Sequence, residues 1–228
     1  MTNEIIWIIM AVIMVMSLLV QFVLNRRFTK YSEIPTPNGM TGAQVAERML
    51  EDFGLHGVKV QATRGMLTDY YDPRTRTVNL SEGVYSKASI AAAAVAAHEC
   101  GHAVQHAQGY APLRLRSALV PVVNASNMIV QWVLLAGVIL INIFPAILWF
   151  GIALFALTTL FAFVTLPVEI NASSRAISWL SMSNVGDSRT LPMAKDALKW
   201  AAYTYVIAAL GSLATLLYYI GLAGDRRR

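Results

Sequence analysis

Four apolar runs, at 5–24, 119–143, 146–166 and 201–223, are each long enough to cross the hydrocarbon core of a bilayer. A segment that crosses lipid must satisfy its backbone internally, so these runs are helices. They use up much of a 228-residue chain and leave two polar segments, 25–117 and 167–200. Composition agrees: 56% of residues are hydrophobic and 14% charged, against about 25% charged in a soluble domain. The expectation is a mainly α membrane protein with about four transmembrane helices and a small α+β portion at the membrane face. The whole chain, 1–228, then makes one membrane-integrated domain.

The charge pattern sets an orientation. Net charge is +5. Arg26, Arg27 and Lys30 follow the first run, and Arg114 and Arg116 precede the second. This is charge beside lipid, with the bilayer as partner; it does not call for nucleic acid. The first run has its basic residues after it and no small-residue cleavage site, which reads as an uncleaved anchor. Runs two and three form a hairpin, broken at Asn142 and Pro145, that puts both polar segments on one side. Their basic residues make that side the cytoplasm of a multi-pass membrane protein. A complete fourth span would place Arg226 to Arg228 on the far side, against this bias. Either the last run stops short or the first helix dominates.

Local signals organise the first polar segment. Pro35, Pro37, Asn38 and Gly39 read as a linker. Thr41 caps a helix with apolar positions Ala43, Val45, Ala46, Met49, Leu50 and Phe53, closed by Gly54. Val58 to Gln61 alternates like a strand. The residues from Leu67 to Tyr71, the turn at Asp72-Pro73-Arg74-Thr75 and Thr77 to Leu80 form a hairpin-like pair. The stretch around Thr77 to Leu80 is available to bind an extended peptide by edge pairing. Ser86 or Ser89 caps an alanine-rich helix that ends near Gly109 and Pro112.

That helix carries His98-Glu99-Cys100-Gly101-His102. Histidines at i and i+4 share a helical face and can hold one zinc ion. Glu99 lies about 100° around the helix, where it can take a proton from a water at the ion without binding the ion. Gly101 allows close packing, and Cys100, the lone cysteine, reads as a small packed residue. A catalytic zinc usually has three protein ligands. His106 lies about 12 Å along the same helix, and His56 sits in a loop. Glu169, just past the third run, is the better third ligand. Pro167 fits the start of a new helix with Glu169 in its first turn. Residues that could orient a ligand or donate to an oxyanion are Arg175, Ser173, Asn171 and His106, with Tyr85 and Tyr110 as further donors.

The order His-Glu-x-Gly-His, hairpin, Glu-x-x-Ala resembles the HtpX-type membrane peptidases of the gluzincin group. Tyr71 to Ser81, Val95 to His106 and Pro167 to Ala176 are similar to the bacterial YugP-like neutral zinc metallopeptidases over essentially the whole chain. The resemblance implies a gluzincin-like fold at the membrane face. It also implies one zinc ion on His98, His102 and Glu169, with Glu99 as general base. The activity it implies is endopeptidase cleavage of membrane or membrane-associated proteins in quality control. HtpX-type enzymes carry Asp four residues after the ligand Glu. This chain has Ser173 there, which can hydrogen-bond an imidazole without charge; Asn171 or Arg175 are substitutes. The competing readings are a non-catalytic zinc-binding scaffold or regulator, which would not need Glu99, and a small transporter, which would need ionisable residues within the spans.

Overall fold

The computed structural model describes residues 3–65 and 68–224. Leu67, placed above in a hairpin, and Arg226 to Arg228, whose charge bears on orientation, lie outside the described residues. Four helices are long and apolar enough to span a bilayer: Ile5–Ser32 within α1 (Asn3–Ser32), α5 (Ala111–Ile139), α6 (Ala146–Met182) and α7 (Leu191–Gly224). Between α1 and α5 lie α2 (Gly42–Asp52), β1 (Lys59–Thr63), β2 (Tyr70–Asp72), β3 (Thr77–Ser81), α3 (Glu82–Tyr85) and α4 (Ile90–Ala107). The chain divides into two compact units.

The first unit gathers the start of α1, most of α5, the first half of α6 and most of α7. Small residues let its helices approach. A Cβ at Gly137 would lie 2.6 Å from Leu148 Cα, and one at Gly151 would lie 2.9 Å from a Leu134 methyl. Lipid tails are as apolar as leucine, so close backbone approach and interhelical hydrogen bonds hold such helices together. Thr158 donates to Asn127 at 2.9 Å, and the Thr159 and Ser212 hydroxyls lie 2.8 Å apart.

The second unit comprises Val20–Leu113 and Pro167–Tyr203. Its core is built on the alanine-rich face of α4, packed by Val45, Met49, Val78, Leu80, Ala176, Trp179 and Leu180. Helix α2 has the cap expected at Thr41, a reciprocal capping box with Gln44, and Gly54 follows it at φ +68°. Ser89, not Ser86, caps α4, accepting from the Ala92 amide. Trp179 is buried on α6 and donates its indole N–H to Asp52 at 2.8 Å.

Two expectations are corrected here. Pro167 does not start a helix: it lies inside α6, which runs unbroken from Ala146 to Met182. A proline removes one backbone hydrogen bond, and membrane helices tolerate this when neighbours compensate. Here Val168, Ala172 and Ala176, all past Pro167, are fully buried, so packing holds the helix on that side of the proline. The second correction concerns Thr77 to Leu80. This strand is no edge: β3 is central, parallel to β1 and antiparallel to β2. All five of its residues are buried, so no peptide can pair with it.

The site depends on how α4 meets α6. A Cβ on Gly101 would lie 2.6 Å from the Ala172 carbonyl oxygen and 3.1 Å from its Cα. Backbone cannot retreat as a flexible side chain can. Gly101→Ala is therefore expected to cost about 1–3 kcal/mol through overpacking and to lower the thermal midpoint in detergent. Gly57→Ala, where an added methyl meets open space, is the control and should change little.

Candidate metal centre

Helix α4 presents His98 and His102 one turn apart, with ring centroids 4.8 Å apart and edge to face. Helix α6 brings Glu169 opposite them. Glu169 is 2% exposed. Oε2 lies 3.2 Å from His98 Nε2 and 3.6 Å from His102 Nε2. One donor atom from each of the three residues falls within 4.8 Å of the others.

This donor set fits zinc. Ligands about 2.0–2.1 Å from a tetrahedral ion stand roughly 3.4 Å from one another, and the two measured separations bracket that figure. Two imidazole nitrogens and a carboxylate oxygen are also the ligand types zinc takes at catalytic sites. The far side of each imidazole is occupied. Ser173 Oγ lies 3.1 Å from His98 Nδ1, and Gln105 Oε1 lies 3.1 Å from His102 Nδ1. Each ring is thus held by Nδ1 with Nε2 turned to the common point.

Glu99 is 8% exposed, and its carboxylate has no hydrogen-bond partner among the described residues. Cys100 faces away from the cluster, its thiol 3.6 Å from the Ala46 carbonyl oxygen. Burial, with the Glu99 charge adding, pushes that thiol well above its ordinary pKa. Ser173 stands where the resemblance puts an aspartate and touches His98. Asn171 and Arg175 do not touch His98 or His102; Arg175 Nε donates to Asn171 at 2.7 Å and Nη1 to Gln108 at 2.7 Å. His106 is exposed, with Nδ1 2.8 Å from the Tyr71 hydroxyl. His56 is exposed in the turn after α2, and Tyr85 packs against the core. The residue that sequence reasoning missed is Gln105, fully buried against His102. Its position carried little signal, for it is an uncharged amide on a helix that also bears His98, Glu99, His102 and His106.

Comparison with known proteins gives the setting. The family described as "Putative neutral zinc metallopeptidase" matches residues 6–224. The chain belongs to this family. It is also 42% identical, over 200 residues and 88% of each chain, to the "Putative membrane protease YugP" of Bacillus subtilis (strain 168). No solved structure shows a significant match. A zinc metallopeptidase family, four apolar helices and a His-His-Glu cluster are mutually consistent.

The histidines have a pH consequence. Burial works against a charged His102, but the nearby Glu169 carboxylate, the Glu99 charge and the Gln105 hydrogen bond outweigh it. Its pKa lies above the ordinary 6.5. A raised pKa stabilises the folded state below the unfolded value, and the gain is lost as pH rises through the folded value. Metal-free protein is therefore expected to lose His102's share of its stability as pH climbs above about 6.5. His102→Gln should flatten that part of the melting-temperature profile. Zinc competes with the same proton, so zinc affinity should rise over the same interval, as chelator competition would show.

Proposed function

We propose that this chain is a zinc-dependent endopeptidase in which one zinc ion is held by His98, His102 and Glu169 and Glu99 is the general base. The observation that supports this reading is the convergence of three donor atoms, from half-buried His98 and buried His102 and Glu169, with the Nδ1 atoms of both imidazoles engaged by Ser173 and Gln105. When bound, zinc supplies a Lewis acid that polarises the scissile carbonyl and makes a neighbouring water acidic.

Every other role falls to the chain itself. Glu99, with no hydrogen-bond partner among the described residues, takes the proton from the water and passes it to the leaving amine nitrogen. His98 and His102 present deprotonated Nε2 atoms. Glu169 brings a negative charge that a bound dication would compensate, which would make its burial tolerable. Ser173 orients His98 by hydrogen bond alone. The two-helix contact at Gly101 and Ala172 fixes the distance between the histidines and the carboxylate. As a gluzincin-like site, it cleaves membrane or membrane-associated proteins, in the manner of quality control, from the cytoplasmic face of the plasma membrane. The basic residues around the spans support this orientation.

Two experiments check the proposal. Glu99→Gln should keep its zinc, measured by metal content, and lose on the order of 10²–10⁴ in cleavage rate on an unfolded protein substrate in detergent. Glu169→Gln should lose the zinc itself. Cleavage by zinc-loaded Glu99→Gln at the wild-type rate would show the mechanism to be wrong. For orientation, Gly57→Cys places a thiol on an exposed loop in a chain whose native cysteine is buried. In intact cells a membrane-impermeant maleimide should leave it unlabelled until the membrane is permeabilised. Labelling without permeabilisation would put the loop, and the site, outside.

A further inference from the structure

We propose that Gln105, held by Asn171 and Arg175, is a positioning residue that dictates which nitrogen of His102 carries the proton. This rests on the metal-centre reading above. Imidazole can place its neutral-state proton on either nitrogen, and only one choice leaves Nε2 able to bind a metal. Three hydrogen bonds of Gln105 and one from Arg175 to Asn171 remove the ambiguity.

The chain of reasoning starts at Arg175, which can only donate. Its Nε points at Asn171 at 2.7 Å, so the atom of Asn171 there is the carbonyl oxygen Oδ1. The end of Gln105 that lies 3.0 Å from that same oxygen must be a donor, hence the amide nitrogen Nε2. A second, independent acceptor agrees: the Val168 main-chain carbonyl lies 2.8 Å from the same nitrogen. Both N–H groups of the Gln105 amide are thereby used. Its other end is the oxygen Oε1, an acceptor, which lies 3.1 Å from His102 Nδ1. A lone pair cannot face a lone pair at that distance, so Nδ1 bears hydrogen. In the neutral ring Nε2 is then unprotonated and faces Glu169.

Burial gives the arrangement its strength. Gln105 is 0% exposed, so no water is at hand to accept a flipped amide's misplaced donors. Turning the amide over would set its oxygen against two acceptors, the Val168 carbonyl and Asn171 Oδ1, at a cost of several unmade buried hydrogen bonds. His98 has no such device. Its Nδ1 meets the Ser173 hydroxyl, which can donate or accept and so accommodates either tautomer. The two ligand histidines are therefore prepared differently: His102 in advance, His98 only as metal binds. Arg175 Nη1 is tied to Gln108, which anchors the far end of the series.

The test measures zinc binding, by chelator competition on full-length protein in detergent, apart from cleavage. Wild type must first bind zinc stoichiometrically; if it does not, the metal-centre reading itself fails. Given that binding, Gln105→Leu should weaken it by about 10–100-fold, the usual effect of losing a ligand's orienting partner. Asn171→Leu should weaken it in the same direction. Asn171→Asp keeps an acceptor for both Gln105 and Arg175, so it should bind zinc nearly as wild type does. A structural role alone would not sort the two Asn171 variants in this way. In zinc-loaded wild type, ¹⁵N NMR should show the His102 Nδ1 bearing the proton. That measurement needs no variant to fold. Wild-type zinc affinity in Gln105→Leu, equal losses in both Asn171 variants, or a protonated His102 Nε2 would each overturn the proposal.

Discussion

The contact that the rest of the site depends on is backbone against backbone, where Gly101 of α4 meets Ala172 of α6. No side chain separates the helices there. At ordinary helix spacing of about 8–10 Å, a larger residue at either position would push Glu169 away from the histidines. With the helices drawn together, the carboxylate sits between two imidazoles, and Ser173 and Gln105 fall against their far sides. One tight crossing therefore sets ligand distance, ring orientation and the exclusion of water from Glu169. The neighbouring alanines on α4 serve the same end: they give the helix a flat, dry face for α2, β3 and α6 to cover.

Much of this was legible in the sequence, for identifiable reasons. Apolar runs of spanning length have few physical outcomes, so the four long helices could be read directly. Their ends could not. Hydropathy marks where the lipid-compatible stretch stops, whereas a helix stops where its hydrogen bonds stop. Arg26, Arg27 and Lys30 are good helix formers, and α1 continues through them to Ser32. Pro167 misled for a related reason. Its local preference is to begin a helix, but Val168, Ala172 and Ala176 are clamped by packing that a local reading does not include.

The candidate metal cluster divides in the same way. His98 and His102 share a helix, so spacing alone predicts their common face. Glu169 is 71 residues from His98, and its selection rested on a carboxylate needing company at the end of an apolar run. Gln105 carried no comparable signal. An amide is unremarkable in sequence, and its importance comes from being walled in by Val168 and Asn171, residues more than sixty positions away. The strand β3 failed as an edge because β1 pairs with it in parallel, and parallel pairing has no turn signature to announce it.

The distance along the chain between the histidines and Glu169 has a consequence for biosynthesis. A ribosome delivers His98 and His102 well before Glu169, and both apolar legs of the hairpin must be made in between. Until the second leg is complete, the nascent chain holds His98, Glu99 and His102 but not Glu169. The order of synthesis thus withholds the third donor until the hairpin exists, so a chain stalled before its third apolar segment cannot assemble the cluster.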